Sequence, residues 1–227
     1  GRPLHFFFIA DCSSSMSGSK IQSLNAAIRE AIPEMRKVAD SNPHARVLVR
    51  AIKFSSGASW HVTQPTPVDQ FHWPELSAGG VTDMGKALQM VANELKMPPM
   101  DQRGLPPVLV LLSDGLPTDD ATTGIKAIMD EPWGRKAVRI AIGIGENDED
   151  INYSILERFI GNPEIQPLRA RNAEQLTNFI RWASTAVLQS ASAPAIIDDL
   201  TASNANSGLN IPAPTSLGNT QVSGDIW

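Results

Sequence analysis

A single cysteine, Cys12, is the only thiol in this 227-residue chain. No internal disulfide can brace it, and nothing in its composition reports an oxidising compartment, so a cytoplasmic location is the expectation. Long apolar runs are equally scarce. The longest, Phe6 to Ala10 and Val108 to Leu112, are strand-sized and far below the roughly 20 residues of a membrane-spanning helix. No membrane span is expected, and no signal-peptide pattern is visible. Clusters of positive charge are missing too. Against 24 acidic residues stand 19 basic ones, for a net charge of −5, and no Lys/Arg stripe exists that would release counterions from phosphates. Nucleic acid is therefore not an expected partner. Several catalytic signatures are also lacking: no G-x-S-x-G elbow, no G-x-x-x-x-G-K-[ST] loop and no H-E-x-x-H pair occurs.

What is present describes one globular domain with a tail. Hydrophobic residues make up 42% and charged residues 19%, ordinary values for a folded chain long enough for one well-buried core. Leu4 to Ala10 (LHFFFIA) is a continuous apolar run, the pattern of a strand covered on both faces. Ser19 and Gln22 stand in capping-box spacing ahead of Ile21, Leu24, Ile28, Ile32, Met35 and Ala39. This predicts a helix from about Lys20, with a kink or early break at Pro33. Arg46 to Phe54 and Ala58 to Thr63 read as an edge hairpin. A helix through Met84, Leu88, Val91 and Leu95 should stop before Pro98. Beyond it, the strand Val108 to Leu112, a helix from about Asp119 to Met129, a strand Ala137 to Gly145 and a helix from about Asp148 to Ile160 alternate. A short strand at Ile165 to Leu168 and a helix from Asn172 to about Ser190 complete the order. Such alternation implies an α/β fold: a doubly wound, mostly parallel sheet with helices on both faces and one antiparallel edge strand.

The expected domain covers 1–190, and 191–227 reads as a polar tail with no Lys or Arg. Within it Ile196, Ile197, Leu200, Ile211, Ile226 and Trp227 are spaced apolar groups suited to docking in a groove of this domain or of a partner. Asp198, Asp199 and Asp225 give the segment acidic character that a metal site of a neighbouring copy could capture. A disordered end is the alternative.

The chemistry concentrates where strands end. Asp11-x-Ser13-x-Ser15 follows the first apolar strand, and a hard divalent ion favours such oxygen donors. Alone, this is as readily an Asp/Ser turn as a site. Thr82, in SAGGVTDMGKAL, offers a further hydroxyl, although Thr at that place also reads as a helix N-cap. Asp114, in LLSDGLPTD, ends the second apolar strand and by itself is a turn residue beside Gly115. In a parallel sheet, however, carboxyl ends of adjacent strands converge on the crevice where ligands bind.

DCSSS, GGVTDMGKAL and SDGLPTD resemble, in order and spacing, the metal-ion-dependent adhesion site (MIDAS) of von Willebrand factor A (VWA) domains, over roughly residues 4 to 190. The resemblance implies that Ser13, Ser15 and Thr82 offer hydroxyls to one ion and that Asp11 and Asp114 bind it directly or through water. Ser14 stands where many members have Gly, which bears on the loop's backbone but removes no ligand. The implied ion is magnesium, with calcium or manganese as alternatives. The implied function is binding of a protein partner that supplies an Asp or Glu to the metal, with no catalysis. TQPTPVDQF and FIRWAST look most like bacterial tellurite-resistance proteins of the TerY type, which suggests a stress-response complex. The rival reading is a metal-dependent phosphoester hydrolase, in which Ser13 stands where an aspartate-nucleophile phosphatase needs its second Asp. A nucleotide site at Gly143-x-Gly145 lacks the rest of its fingerprint, and a tight turn is expected there. The scattered His5, His44, His61 and His72, the aromatics Trp60, Phe71 and Trp73, and Cys12 read as structural.

Overall fold

Successive side chains of a strand point to opposite faces, and the opening apolar run uses both. In the computed structural model, which describes residues 1–114, 116–193, 211–214 and 227, β1 spans Arg2–Asp11. Leu4, Phe6, Phe8 and Ala10 enter one core layer, and Phe7 and Ile9 enter the other. None of these side chains is more than 1% exposed. A strand so buried needs neighbours on both edges and helices on both faces, and it has them. β2 (Ala45–Ser55), β3 (Gly57–Pro67), β4 (Val108–Ser113), β5 (Val138–Ile144) and β6 (Leu168–Ala170) complete a six-stranded sheet in the order β3-β2-β1-β4-β5-β6. All pairings are parallel except the β2–β3 edge hairpin.

One face is covered by α1 (Ser19–Asp40), α6 (Ala173–Trp182) and α7 (Leu188–Ser192), the last two joined by a π-helical turn at Ala183–Val187. The other carries α2 (Met84–Glu94), α3 (Ala121–Asp130), α4 (Pro132–Lys136) and α5 (Tyr153–Ile160). No helix among the described residues is long and apolar enough to cross a membrane.

Several local expectations are corrected. α1 runs through Pro33 without a break. Pro33 and Arg29, whose carbonyl loses its amide partner, both lie on the exposed side, where water can take the bond. Ser19 is the first helical residue and not the cap; Gly18 holds that position at φ 83° with no side-chain bond. β6 begins only after Pro167, which cannot donate to the ladder, while Ile165 packs into the core. The helix expected from Asp148 starts at Tyr153, where the Asn152 side chain accepts from the Ile155 amide at 3.2 Å. Gly143 lies inside β5 and not in a turn; a Cβ there would come within 2.7 Å of Ile151 Cδ1. In the C-terminal segment, Ile211 and Trp227 pack against the core layer beneath α1 and α6, and Trp182 Nε1 donates to the Pro212 carbonyl at 2.7 Å. Ile196, Ile197, Leu200, Ile226, Asp198, Asp199 and Asp225 lie outside the described residues.

Arg139 joins two helix ends. It is 3% exposed, and its guanidinium donates to the carbonyls of Phe159 (2.8 Å) and Ile160 (3.2 Å) at the end of α5 and of Gly134 (2.5 Å) and Ala137 (3.3 Å) at the end of α4. These carbonyls lie at the negative ends of two helix dipoles. Burial pulls its pKa down to about 10, so it stays charged at neutral pH. Arg139→Met should cost about 2–4 kcal/mol, because hydrogen bonds from a charged donor to buried carbonyls contribute about 1.5–3 kcal/mol each. Urea unfolding checks this, and a loss under about 0.5 kcal/mol would exclude the double-cap role.

Candidate metal centre

The sheet's winding reverses at β1, which is flanked by β2 on one side and by β4 on the other, and the crevice beyond the carboxyl ends opens between β1 and β4. Asp11 is the last residue of β1 and Ser113 the last of β4. The Asp11 side chain lies in a residue with 0% exposure. Its Oδ1 accepts from the Ser13 amide at 2.8 Å, and its Oδ2 accepts from Ser113 Oγ at 2.7 Å. From there the cluster continues outward. The Ser13 and Ser15 hydroxyls are 3.0 Å apart; Ser15 Oγ donates to Asp114 Oδ1 at 2.8 Å and Ser13 Oγ to the same oxygen at 3.5 Å. Lys20 Nζ stands 3.4 Å from Asp114 Oδ2. Ser13 precedes a 3-10 turn at Ser14–Met16 but makes no side-chain cap to it.

Thr82 reaches the same mouth through backbone bonds. Ser14 N donates to Gly80 O and Gly79 N to Cys12 O, both at 2.9 Å, which ties the loop before α2 to the loop after β1. Gly80 has φ 82°, and a Cβ there would sit 2.5 Å from Ser56 Oγ, so only glycine fits this approach. Thr118 holds Thr82 at both backbone groups: Thr118 Oγ1 accepts from Thr82 N at 3.0 Å, and Thr118 N donates to Thr82 O at 2.9 Å. The N-cap reading of Thr82 fails, since Asp83 has that position and makes no side-chain cap. The capping carboxylate comes from another loop. Asp119 accepts from the amides of Gly85 (2.8 Å) and Lys86 (2.9 Å), which leaves the Thr82 hydroxyl out of capping.

Sequence reasoning thus picked out Asp11, Ser13, Ser15, Thr82 and Asp114 and missed the residues that hold them: Lys20, Ser113, Thr118 and Asp119. The last three lay within the quoted SDGLPTD motif. Asn25 on α1, 4% exposed, was missed as well. It accepts from Trp73 Nε1 (2.9 Å) and Leu76 N (2.8 Å) and donates to Leu76 O (3.0 Å), fixing the loop that leads to Thr82. Phe71 and Trp73 are core residues, and Trp60 lies under the Arg50 guanidinium at 3.9 Å. Cys12 is buried with its thiol toward Phe54 O at 3.5 Å, and burial raises its pKa.

Among the described residues no three His, Cys, Asp or Glu side chains gather as a metal cage. The donor set here is two carboxylates with neighbouring hydroxyls, all oxygen, which suits a hard divalent cation and not a soft one.

A family model for the von Willebrand factor type A domain matches residues 6–182. None of the curated proteins matches the sequence. Similar solved structures include the pilus adhesin SpaC from Lactobacillus rhamnosus GG (13% identity, TM-score 0.66, covering 84% of this chain and 31% of that one). A von Willebrand factor type A protein from Catenulispora acidiphila is 17% identical with TM-score 0.60, covering 83% and 43%. Proximal thread matrix protein 1 from the mussel byssus, with a zinc-occupied MIDAS motif, is 14% identical with TM-score 0.59, covering 84% and 48%. The chain therefore spans less than half the length of each of these three, and at such identities the likeness is one of fold.

Burial pushes the Asp11 pKa up to about 6 from 3.8, against the Ser13 hydrogen bonds, with Asp114 adding to the rise. An acid whose pKa is raised by folding penalises the fold once ionised. The penalty is absent below about 3.8, grows between about 4 and 6 and is complete above about 6. In chelator, Asp11→Asn should therefore stabilise the domain at pH 7 by about 1–2 kcal/mol, with the gain fading as pH falls toward 4. Thermal melts across that range check the sign; an Asn variant less stable than wild type at pH 7 contradicts it.

Proposed function

The chain belongs to the von Willebrand factor type A family, and we propose that it is a protein-binding module whose divalent ion coordinates a carboxylate from a partner protein. Asp11, Ser13, Ser15, Thr82 and Asp114 would hold the ion. Domains of this family commonly act as metal-dependent interaction modules. The observation that carries the reading is the gathering of Asp11, Ser13, Ser15 and Asp114 in one hydrogen-bonded cluster at the sheet's switch point. Magnesium is the first choice for an all-oxygen donor set with few carboxylates, with calcium or manganese as alternatives. Zinc in the MIDAS of the mussel protein adds a fourth candidate.

Charge explains why an anion completes the site. Two carboxylates only balance a divalent ion, and the Lys20 ammonium, 3.4 Å from Asp114, leaves the centre with a formal surplus of one positive charge (+2 − 1 − 1 + 1). A partner's Asp or Glu answers that surplus, whereas water does not. The reading assigns no catalysis to the centre. It includes a cytoplasmic home, supported by the lone buried Cys12, and a role in a bacterial tellurite-resistance or stress-response complex, supported by the TerY-like segments TQPTPVDQF and FIRWAST. In the same reading, 1–190 is the binding domain and 191–227 a tail that docks on it through Ile211 and Trp227.

Titration calorimetry tests the centre. Wild type should bind one magnesium equivalent, and Asp11→Ala and Thr82→Ala should each weaken it at least about tenfold, a loss of about 1.4 kcal/mol. Equal affinity of wild type and Asp11→Ala would overturn the assignment. Lys20→Met, which removes a like charge beside the ion, should instead tighten magnesium on the order of tenfold, and unchanged affinity would show that Lys20 swings clear. Magnesium- or manganese-dependent turnover of a generic phosphate ester, lost in Asp11→Ala, would favour the hydrolase instead.

A further inference from the structure

Among the described residues, three large apolar side chains stand well exposed, and two of them border the candidate metal centre. Val81, 49% exposed, immediately precedes Thr82, and Leu116, 53% exposed, lies two residues past Asp114; Met97, at 51%, follows the far end of α2. The loops that carry Val81 and Leu116 are not free to tuck them away. Val81 N donates to Ser56 Oγ at 3.2 Å, Gly80 is wedged against Ser56, and the paired Thr82–Thr118 bonds lock the two loops together. Ser14, Ser15 and Ser17, on the loop after β1, are exposed and polar. The mouth therefore carries exposed hydroxyls on the loop after β1 and exposed branched aliphatic groups on the loops of Thr82 and Asp114.

Exposed aliphatic side chains gain when a partner removes them from water. A carboxylate drawn to the centre by its surplus positive charge would bring its neighbouring atoms against these aliphatic groups. We propose that the partner's acidic residue is accompanied, within two positions along its chain, by a bulky apolar side chain that packs on Val81 and Leu116. Val81 adjoins Thr82 and Leu116 is two residues from Asp114, and in an extended partner chain residues two apart share a face at about 3.3 Å advance per residue. The inference rests on the metal-coordination reading above and specifies the partner for it. A free carboxylate alone would use the centre only; an acidic residue beside Leu, Ile, Met or Phe would use the aliphatic groups as well.

Short carboxylic acids isolate the two contributions without requiring the partner. With magnesium saturating, acetate and 4-methylpentanoate are titrated into the full chain, followed by the backbone amide resonances of Ser13, Ser15 and Thr82. Acetate should bind weakly and only with the metal. 4-Methylpentanoate should bind about tenfold more tightly or better, also only with the metal, and the double variant Val81→Ser, Leu116→Ser should bring it down to the level of acetate. Magnesium affinity of the double variant, measured by calorimetry, reports whether its centre is intact. Should acetate bind with magnesium while 4-methylpentanoate binds no better, the apolar flank is not part of the recognition and the inference is overturned although the metal reading stands. A preference that survives in the double variant overturns it equally, since the apolar contact then lies elsewhere. Failure of acetate to show any metal-dependent binding removes the metal reading, and the inference with it.

Discussion

A carboxylate at the end of one of the two central strands has to be stripped of water, and the architecture around Asp11 answers that cost. An isolated buried charge costs several kcal/mol after relaxation, so Asp11 needs hydrogen bonds from groups that arrive by different routes. Ser13 N comes from the chain's own turn after β1. Ser113 Oγ comes from β4, a strand that begins almost a hundred residues later and reaches Asp11 only because the sheet reverses direction there. Even with these bonds the carboxyl is held at a pKa of about 6. The site thus retains an electrostatic debt that a bound cation would relieve, and the same feature that weakens the bare fold favours the ion.

The loops at the mouth are fixed by cross-links between segments, each bond serving another segment's geometry. Asn25 on α1 holds the 73–76 loop, Ser14 N and Cys12 O hold Gly79 and Gly80, and Thr118 and Asp119 hold Thr82 and the start of α2. A coordinating group is useful only if its position is set before the ion arrives. Here three loops brace one another around side chains that take no part in the bracing, of which the Thr82 hydroxyl is the clearest case.

Much of the fold was legible because burial leaves a periodic trace. Doubly covered strands read as continuous apolar runs, amphipathic helices as stripes at a period of 3.6, and both signals located β1, β4, β5, α1 and α2 within a few residues. The failures came where a rule considers only the chain's own neighbourhood. Ser19 has capping-box spacing, yet Gly18 took the cap. Pro33 has the chemistry of a helix breaker, yet it fell on the solvent side, where losing one backbone bond costs little. Thr82 has the sequence of an N-cap, yet Asp119 supplied the cap from a distant loop.

The sequence by itself determined the class of fold, the strand ends at Asp11 and just before Asp114, and the oxygen character of the candidate centre, since these follow from local periodicity and residue chemistry. Tertiary structure alone decided that Ser113 would satisfy Asp11, that Lys20 would lie against Asp114, that Thr118 would clamp Thr82, and that Val81 and Leu116 would remain exposed beside them. Those contacts join residues 36 to 102 positions apart, and no spacing rule within one segment specifies them. They are set by strand order and loop closure, and so become visible only when the sheet has brought its carboxyl ends together.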